Sequence, residues 1–337
     1  KLDGTMGQCM WCWNAHYFTT WTEGNRRIQT VTFQPIKGKN SIYVPAGGIS
    51  WIDAGVMDRT EQKLCSVIST DPRYRGGNGN ALGDNYPLAA DAPQKTMLGM
   101  PATALSTTAF GTNARKRGEG WEANWFVARA VVEYLFEIIM GTRNSQAAFN
   151  AELDANGLRQ GGFGAGATNM PNWDTYNGYY PVIPTSVGLE MGDGVGLVDY
   201  SVTNADGVAV YQCKVPVFFG LVNAGFGNLW RWVRGLIMNA GDISEVYVAK
   251  SMYADFNPNS VDGMLKVAEC PQREGYIIKK SYEGLCCMPT SVGGSAATYY
   301  CDYFWTNAAT SKGLRVRAAG GYVDTGTRAG ASYSHAY

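Results

Sequence analysis

Short segments rich in apolar, β-branched and aromatic residues recur along the chain, separated by turn residues. Ile28–Phe33 and Ser41–Ile52 are rich in β-branched and aromatic residues and contain or border glycine and proline, a pattern that predicts strands. From Val195 onward, further segments of this kind alternate with turn residues. The pattern therefore predicts a second half rich in irregular antiparallel sheet.

One segment instead follows a helical period and begins near Gly120. Its apolar residues recur every three or four positions at Trp125, Ala128, Val132, Leu135 and Ile139. This spacing predicts an amphipathic helix that packs on a core and ends at Gly141.

The opposite face of this predicted helix carries charges. Arg129, Glu133 and Glu137 are four residues apart, so neighbouring turns can pair Arg129 with Glu133. One long helix, glycine-rich loops and many strands together predict the α+β class.

Composition and charge exclude two classes of protein. Among 337 residues, 28 Lys and Arg balance 28 Asp and Glu, so the basic surface that nucleic acids require is not expected. Val127–Met140 is the longest apolar stretch, but it contains charges and is shorter than the roughly 20 residues of a membrane span. We therefore expect neither nucleic-acid binding nor membrane insertion. The chain begins with Lys1, which is consistent with a fragment or a processed product.

Residues for catalysis are scarce. The only two histidines, His16 and His335, lie near opposite ends, and no zinc-protease, nucleophile-elbow or P-loop motif occurs. Cys9 and Cys12 have C-x-x-C spacing but lack the second chelating pair that a zinc site needs. The eight cysteines are expected to be free and mostly buried, with disulfides as the alternative. The sequence thus predicts no enzyme, no metal and no cofactor.

Three segments, taken in order, resemble a known family. They are FFGLVNAGFGNLWRWVRGL (Phe218–Leu236), EYLFEIIMGTRNSQAAF (Glu133–Phe149) and the C-terminal stretch Asp302–Tyr337. The first two resemble the C-type-lectin-like fold of formylglycine-generating enzymes and their phage-encoded relatives. The third resembles the C-terminal variable region of proteins diversified by retroelements. Gly99–Trp125 is similar to the entry to that fold's first helix.

The resemblance implies a fold and a domain division. It implies an α+β, C-type-lectin-like domain over residues 99–337, with an irregular antiparallel sheet and amphipathic helices. A β-rich N-terminal segment of unassigned role, residues 1–98, precedes it. Trp230 and Trp232 are expected in or against the core, and Trp125 on the sheet. Relatives usually end in a further strand, so the natural chain is expected to continue beyond Tyr337 or to be truncated here.

The resemblance also implies a function. The expected protein binds a receptor, which is a protein or glycan on a host cell surface, and is displayed on a phage tail or head fibre. Other virion proteins and further copies of the chain, with a trimer as the expectation, are the implied partners. It would be assembled in the host cytoplasm and located on the virion surface. The alternatives are a structural virion protein and, with less support, a formylglycine-generating enzyme, whose cysteine motif the chain lacks.

The ligand is expected to bind the end of the chain. Gly320, Gly321, Gly326 and Gly330 supply bends, and the side chains between them are predicted to form one exposed patch. None of the Trp, Lys, Gln, Glu and Met residues that retroelement-diversified codons cannot encode occurs from Ala318 to Tyr337. Tyr322 and Arg328 are the predicted anchors. The predicted ligand-binding residues are Tyr322, Asp324, Thr325, Arg328, Ser332, Ser334 and His335, with Tyr303 and Trp305 as neighbours.

Overall fold

The structure is a computed structural model in which short strands are the main element. It describes residues 2–52, 55–69, 71, 73–75, 77–78, 101–103, 105–149, 187–203, 209–222, 226–227, 229–252, 256–322 and 325–336. The strands that precede the helices are β1 Met10–Trp13, β2 His16–Glu23, β3 Arg26–Thr32, β4 Ser41–Val44, β5 Gly47–Ser50, β6 Val56–Asp58, β7 Lys63–Cys65, β8 Tyr74–Arg75, β9 Gly77–Asn78 and β10 Ala102–Thr103. The strands predicted near Ile28 and Ser41 are confirmed.

Two helices separate these strands from the rest, α1 Thr107–Arg115 and α2 Phe126–Met140. The strands that follow are β11 Val195–Thr203, β12 Ala209–Phe218, β13 Leu221–Val222, β14 Arg231–Ala240, β15 Ser244–Val248, β16 Leu265–Cys270, β17 Gly275–Ser281, β18 Met288–Val292, β19 Tyr303–Thr306, β20 Gly313–Ala319 and β21 Ser334–Ala336.

Helix α2 confirms the predicted helix and its end, but it begins at Phe126 rather than near Gly120. It ends at Gly141, which has φ 63°, a left-handed conformation that glycine adopts without steric cost. At its other end Trp125 is buried and packs against β14. A Cβ at Gly235 would lie 2.6 Å from the Trp125 ring, so the absence of a side chain there lets the indole contact the strand. The predicted packing of Trp125 on the sheet is confirmed.

The central element is an eight-stranded sheet in the order β16-β15-β14-β20-β21-β19-β17-β18. Its two edge strands, β16 and β18, contact each other, so the sheet is nearly closed like a barrel. Side chains from α2, β14, β17 and β19 share its core, among them Tyr134, Ile237, Ile277 and Phe304. The C-terminal strand β21 lies inside this sheet, between β20 and β19.

The prediction of an α+β, C-type-lectin-like fold is wrong. The structure is mostly β, with 39% strand and 14% helix, and the nearly closed sheet is not a clear lectin fold. Trp230 and Trp232, expected in the core, are 42% and 37% exposed. Residues two apart along a strand point to the same face of the sheet. Trp230 and Trp232 both point to the outer face of the central sheet.

The N-terminal strands pack on α2. Phe18 on β2 stacks on Tyr134 with ring centroids 3.9 Å apart, and the Tyr134 hydroxyl donates a hydrogen bond to the Thr19 carbonyl at 2.8 Å. The predicted boundary between residues 98 and 99 lies outside the described residues. Of the helices that the structure describes, none is both long and apolar enough to cross a membrane.

Candidate ligand-binding surface

A strip of aromatic side chains crosses the outer face of the central sheet. Trp232 on β14 is paired with Ala318 on β20, Ala318 with His335 on β21, and His335 with Trp305 on β19. Residues paired across neighbouring strands point to the same face. Ala318 is the small member of this row, so the larger rings stand on either side of it.

Trp230, directly before β14, connects the two halves of the strip. Its ring centroid lies 4.6 Å from that of Tyr322 and 4.7 Å from that of His335. At the other end, Tyr303 lies 5.2 Å from Trp305 and 5.0 Å from Tyr276. We call the set Tyr276, Tyr303, Trp305, His335, Trp230, Trp232 and Tyr322 the aromatic strip.

An exposed arginine, Arg328, lies over the strip. The Arg328 guanidinium carbon is 4.9 Å from the Tyr303 centroid and 5.0 Å from the Trp305 centroid. Two ring faces stabilise the cation and hold it at one place on the surface. In the described part of the chain no carboxylate forms a salt bridge with Arg328. The charge and donors of its guanidinium are therefore available to a ligand.

Burial also adjusts the ionisable groups of the strip. Desolvation lowers the pKa of His335 below its ordinary value of 6.5, which keeps the imidazole neutral at pH 7. Burial, together with the nearby Glu274 carboxylate, raises the pKa of Tyr303, and the Tyr303 hydroxyl donates to Glu274 at 3.2 Å. At neutral pH the positive charge of the strip thus comes from Arg328.

A polar layer beneath the strip holds the end of the chain in place. The buried Gln146 amide donates to the carbonyls of Gly326 and Ala329 at 3.0 and 2.6 Å. The Ser145 hydroxyl accepts from the Ala331 amide at 2.9 Å. Asp302 accepts from the Ser332 amide at 2.8 Å, and burial raises its pKa well above the ordinary value. These bonds satisfy backbone groups of a segment with little regular structure.

A buried cluster of charges lies below that layer. Glu133 forms ion pairs with Arg129 at 2.6 Å, Lys280 at 2.8 Å and Arg317 at 2.8 Å. Glu137 pairs with Arg27 at 2.8 Å and accepts from the Tyr282 hydroxyl at 2.7 Å. The predicted pairing of Arg129 with Glu133 is confirmed.

These charges lie on a side of α2 that the amphipathic pattern would leave exposed to solvent. Arg129, Glu133 and Glu137 are all buried, although an amphipathic pattern places charges towards solvent. The N-terminal strands and β17 cover that side of the helix and supply opposite charges, which the pattern within the helix does not show.

The structure brings together five of the predicted ligand-binding residues. Tyr322, Arg328, His335, Tyr303 and Trp305 all contribute to the aromatic strip or lie over it. Thr325 belongs to the adjoining turn, where its hydroxyl accepts from the Tyr322 amide at 2.8 Å. Asp324 lies outside the described residues.

Two predicted residues do not reach the surface. Ser332 and Ser334 are buried, so their expected exposure is wrong. The Ser332 hydroxyl accepts from Lys280 at 2.7 Å, and the Ser334 hydroxyl donates to the Ser332 carbonyl at 3.2 Å. Alternation along β21 turns Ser334 and Ala336 inward and His335 outward. That period of two is visible in the sequence once the strand is known.

Sequence reasoning missed three members of the strip. The sequence pattern predicts Trp230 and Trp232 in or against the core, and it gives no sign that Tyr276 belongs to the surface. The spacing of two between the tryptophans indicates a shared strand face, but only strand order shows that this face continues onto β21 and β19.

An apolar cleft of about 630 Å³ opens beside the strip, and Trp230, Trp232 and Tyr322 belong to its lining. Its charged side chains already have partners. Glu122 pairs with Arg115 and Arg234, and Arg117 donates to the Leu64 carbonyl and the Cys65 thiol. The cleft therefore offers shape and apolar surface rather than unpaired charge.

The cysteines for which the structure gives side chains are free. Cys12 is exposed, and the buried thiols are Cys9, Cys65, Cys270, Cys286, Cys287 and Cys301. The expectation of free, mostly buried thiols is confirmed for these seven. Within the described ranges, no three or more His, Cys, Asp or Glu side chains form a group able to hold a metal ion.

Comparison with known proteins adds no assignment. No protein-family model matches the chain, and no curated protein matches it.

Proposed function

We propose that this chain is a binding protein whose ligand surface is the aromatic strip with Arg328. One observation carries the proposal: five side chains from the C-terminal part of the sequence lie together with exposed tryptophans on one sheet face. Tyrosine, tryptophan and arginine contribute most to interface energies. A contiguous exposed patch of such residues commonly marks an interaction site.

The buried polar layer supports the proposal because the residues that hold the backbone are not the residues that face a ligand. The backbone of residues 326–332 is held from below by Gln146, Ser145 and Asp302. Tyr322 and Arg328 on the outer side have no part in those bonds. A rigid backbone lowers the entropy cost of binding, and outward side chains can vary at little cost in stability.

We further propose that the ligand lies on a host cell and that a phage appendage displays the protein. This rests on the similarity of Asp302–Tyr337 to retroelement-diversified variable regions, and it does not depend on a lectin-like fold. Sequencing of the gene's surroundings tests it. A reverse-transcriptase gene and a near-repeat of the 3′ coding end are expected, and their absence from a complete phage genome would contradict it.

Cell attachment tests the surface itself. Labelled protein is applied to intact bacterial cells from the community in which the gene occurs, and bound fluorescence is measured. Changing Tyr322 and Arg328 together to alanine is expected to abolish attachment, with the melting temperature and the assembly state unchanged.

The matched control is Tyr43→Ala with Arg26→Ala. These residues are an exposed tyrosine on β4 and an exposed arginine on β3, the two outer strands of a three-stranded N-terminal sheet, so the same residue types are lost elsewhere. The control is expected to attach like the wild type. If the Tyr322 and Arg328 variant attaches normally, or loses its assembly state instead, the strip is not the ligand surface.

A further inference from the structure

We propose that the aromatic strip binds an acidic glycan, with a sugar carboxylate on Arg328 and sugar rings against the neighbouring aromatic side chains. This inference rests on the proposed binding function and names the class of ligand. Three features of the strip lead to it: its shape, its ring faces and its charge.

The strip is long and lies on a single sheet face. The paired row from Trp232 to Trp305 crosses four adjacent strands, which corresponds to about 14 Å at the usual strand spacing. That length suits an extended oligosaccharide of a few sugar units better than a compact metabolite.

The surface chemistry of the strip matches that of a sugar. A pyranose ring carries C–H groups on its faces, and these pack against the electron-rich faces of aromatic rings. Trp230 and Trp232 are 42% and 37% exposed, so each offers part of a ring to such contacts. The side chains along this row of the sheet are aromatic, apart from Ala318. A strip without branched aliphatic side chains provides ring stacking but little of the aliphatic packing found in the buried centre of a protein interface.

The charge decides which kind of sugar is favoured. Arg328 is exposed, is held over Tyr303 and Trp305, and pairs with no carboxylate in the described part of the chain. A guanidinium binds a carboxylate through two parallel hydrogen bonds. The carboxylate of Glu274, two residues before Tyr276, accepts a hydrogen bond from the Tyr303 hydroxyl. An anionic ligand is therefore favoured at Arg328, and a neutral glycan would leave its charge unused.

The test uses an array of oligosaccharides that contain uronic or sialic acids, each beside its carboxyl methyl ester. The ester keeps the sugar rings and removes the charge. Wild-type protein is expected to bind at least one acid, and to bind the matching ester roughly tenfold to a hundredfold more weakly, because a charged hydrogen-bonded pair is lost.

Variants assign that preference to Arg328. Arg328→Gln is expected to bind acid and ester equally, at about the ester level of the wild type. Trp305→Ala is expected to weaken both. Arg26→Gln, which removes an exposed arginine from β3, is the matched control and should keep the full preference.

Three results would overturn the inference. They are no binding to any acidic oligosaccharide, equal binding of acid and ester by the wild type, and an acid preference that persists in Arg328→Gln. If cell attachment is lost in the Tyr322 and Arg328 variant while the array stays negative, the surface binds another class of ligand, such as a protein. In that case the proposed ligand surface is supported, and the inference that its ligand is an acidic glycan is rejected.

Discussion

Glu133 is the carboxylate on which the buried charges beneath the strip depend. Burial alone would raise its pKa, but Arg317, Lys280 and Arg129 together lower it from 4.5 to about 2. The carboxylate is therefore ionised whenever the protein is folded at ordinary pH. Removing one partner of such a group costs more than the pair contributes, because the remaining charges stay buried without compensation.

The first prediction concerns acid stability. Because the folded pKa of Glu133 lies below its unfolded value of 4.5, its stabilisation is complete above pH 4.5 and is lost as pH falls towards 2. Glu133→Gln should lower the free energy of unfolding at pH 7 by about 3–5 kcal/mol. Denaturant titrations from pH 7 to pH 2.5 measure both effects.

Comparison of the wild type with Glu133→Gln isolates the contribution of Glu133 to the pH dependence of stability. Below pH 4.5, the free energy of unfolding of the wild type should fall more steeply than that of Glu133→Gln, by up to about 1.4 kcal/mol per pH unit. Parallel curves for the two proteins would show that Glu133 does not carry the effect.

The second prediction concerns His335. Desolvation lowers its pKa below 6.5, so stability is complete above pH 6.5 and declines as pH falls below that value. The chain has only two histidines, so two imidazole proton signals can be followed by NMR. His16→Asn identifies the His335 signal, which should titrate below pH 6.5. A midpoint at or above 6.5 would mean that the strip does not bury the ring.

At the scale of elements, the end of the chain depends on the segment that follows α2. Strand β21 has three residues, too few to be stable without neighbours. It pairs with two neighbouring strands, and bonds from Ser145 and Gln146 hold the segment that precedes it. The position of the strip is therefore set by residues that do not contact a ligand.

The third prediction tests that dependence with Gln146→Ala. The change removes the Gln146 donor from the Ala329 carbonyl, while the Gly326 carbonyl still accepts from the Ala329 amide, so the free energy of unfolding should fall by about 1–3 kcal/mol. Hydrogen exchange of the amides from Gly326 to Tyr333 should become faster. Gln272→Ala is the control, since the Gln272 amide makes a single bond to the Gly241 carbonyl in a half-buried site. Unchanged exchange in Gln146→Ala would show that other contacts hold the segment.

At the scale of the whole molecule, α2 lies between the N-terminal strands and the central sheet. Phe18 and Val44 from the N-terminal strands belong to the same apolar cluster as Ile237 and Phe304 from the sheet. Arg27 crosses the same contact to reach Glu137. The N-terminal strands and the central sheet that carries the aromatic strip thus share a core through α2.

The fourth prediction follows from this shared core. Phe18→Ala should lower the free energy of unfolding by about 3–5 kcal/mol while unfolding remains a single transition. Phe33→Ala is the control, because Phe33 is 74% exposed and its loss should cost less than about 0.5 kcal/mol. Far-ultraviolet circular dichroism and tryptophan fluorescence are both recorded. Two separated transitions would indicate that the N-terminal strands unfold alone.

The sequence by itself determined the local features. β-branched and aromatic residues bounded by glycine and proline predicted the strands near Ile28 and Ser41, and helical spacing predicted α2 and its end at Gly141. These patterns depend on neighbours in the chain, which is why they are visible without a structure. The aromatic and arginine content near the C-terminus likewise identified five residues that the structure brings together.

Tertiary structure decided which side each residue faces. Trp230 and Trp232 are exposed, Ser332 and Ser334 are buried, and Arg129, Glu133 and Glu137 are covered by strands from distant parts of the chain. Strand order also decided the fold class, since the nearly closed sheet depends on pairings such as β19 with β21 and on contact between β16 and β18. The face that an element buries depends on what packs against it, and periodicity within one element does not contain that information.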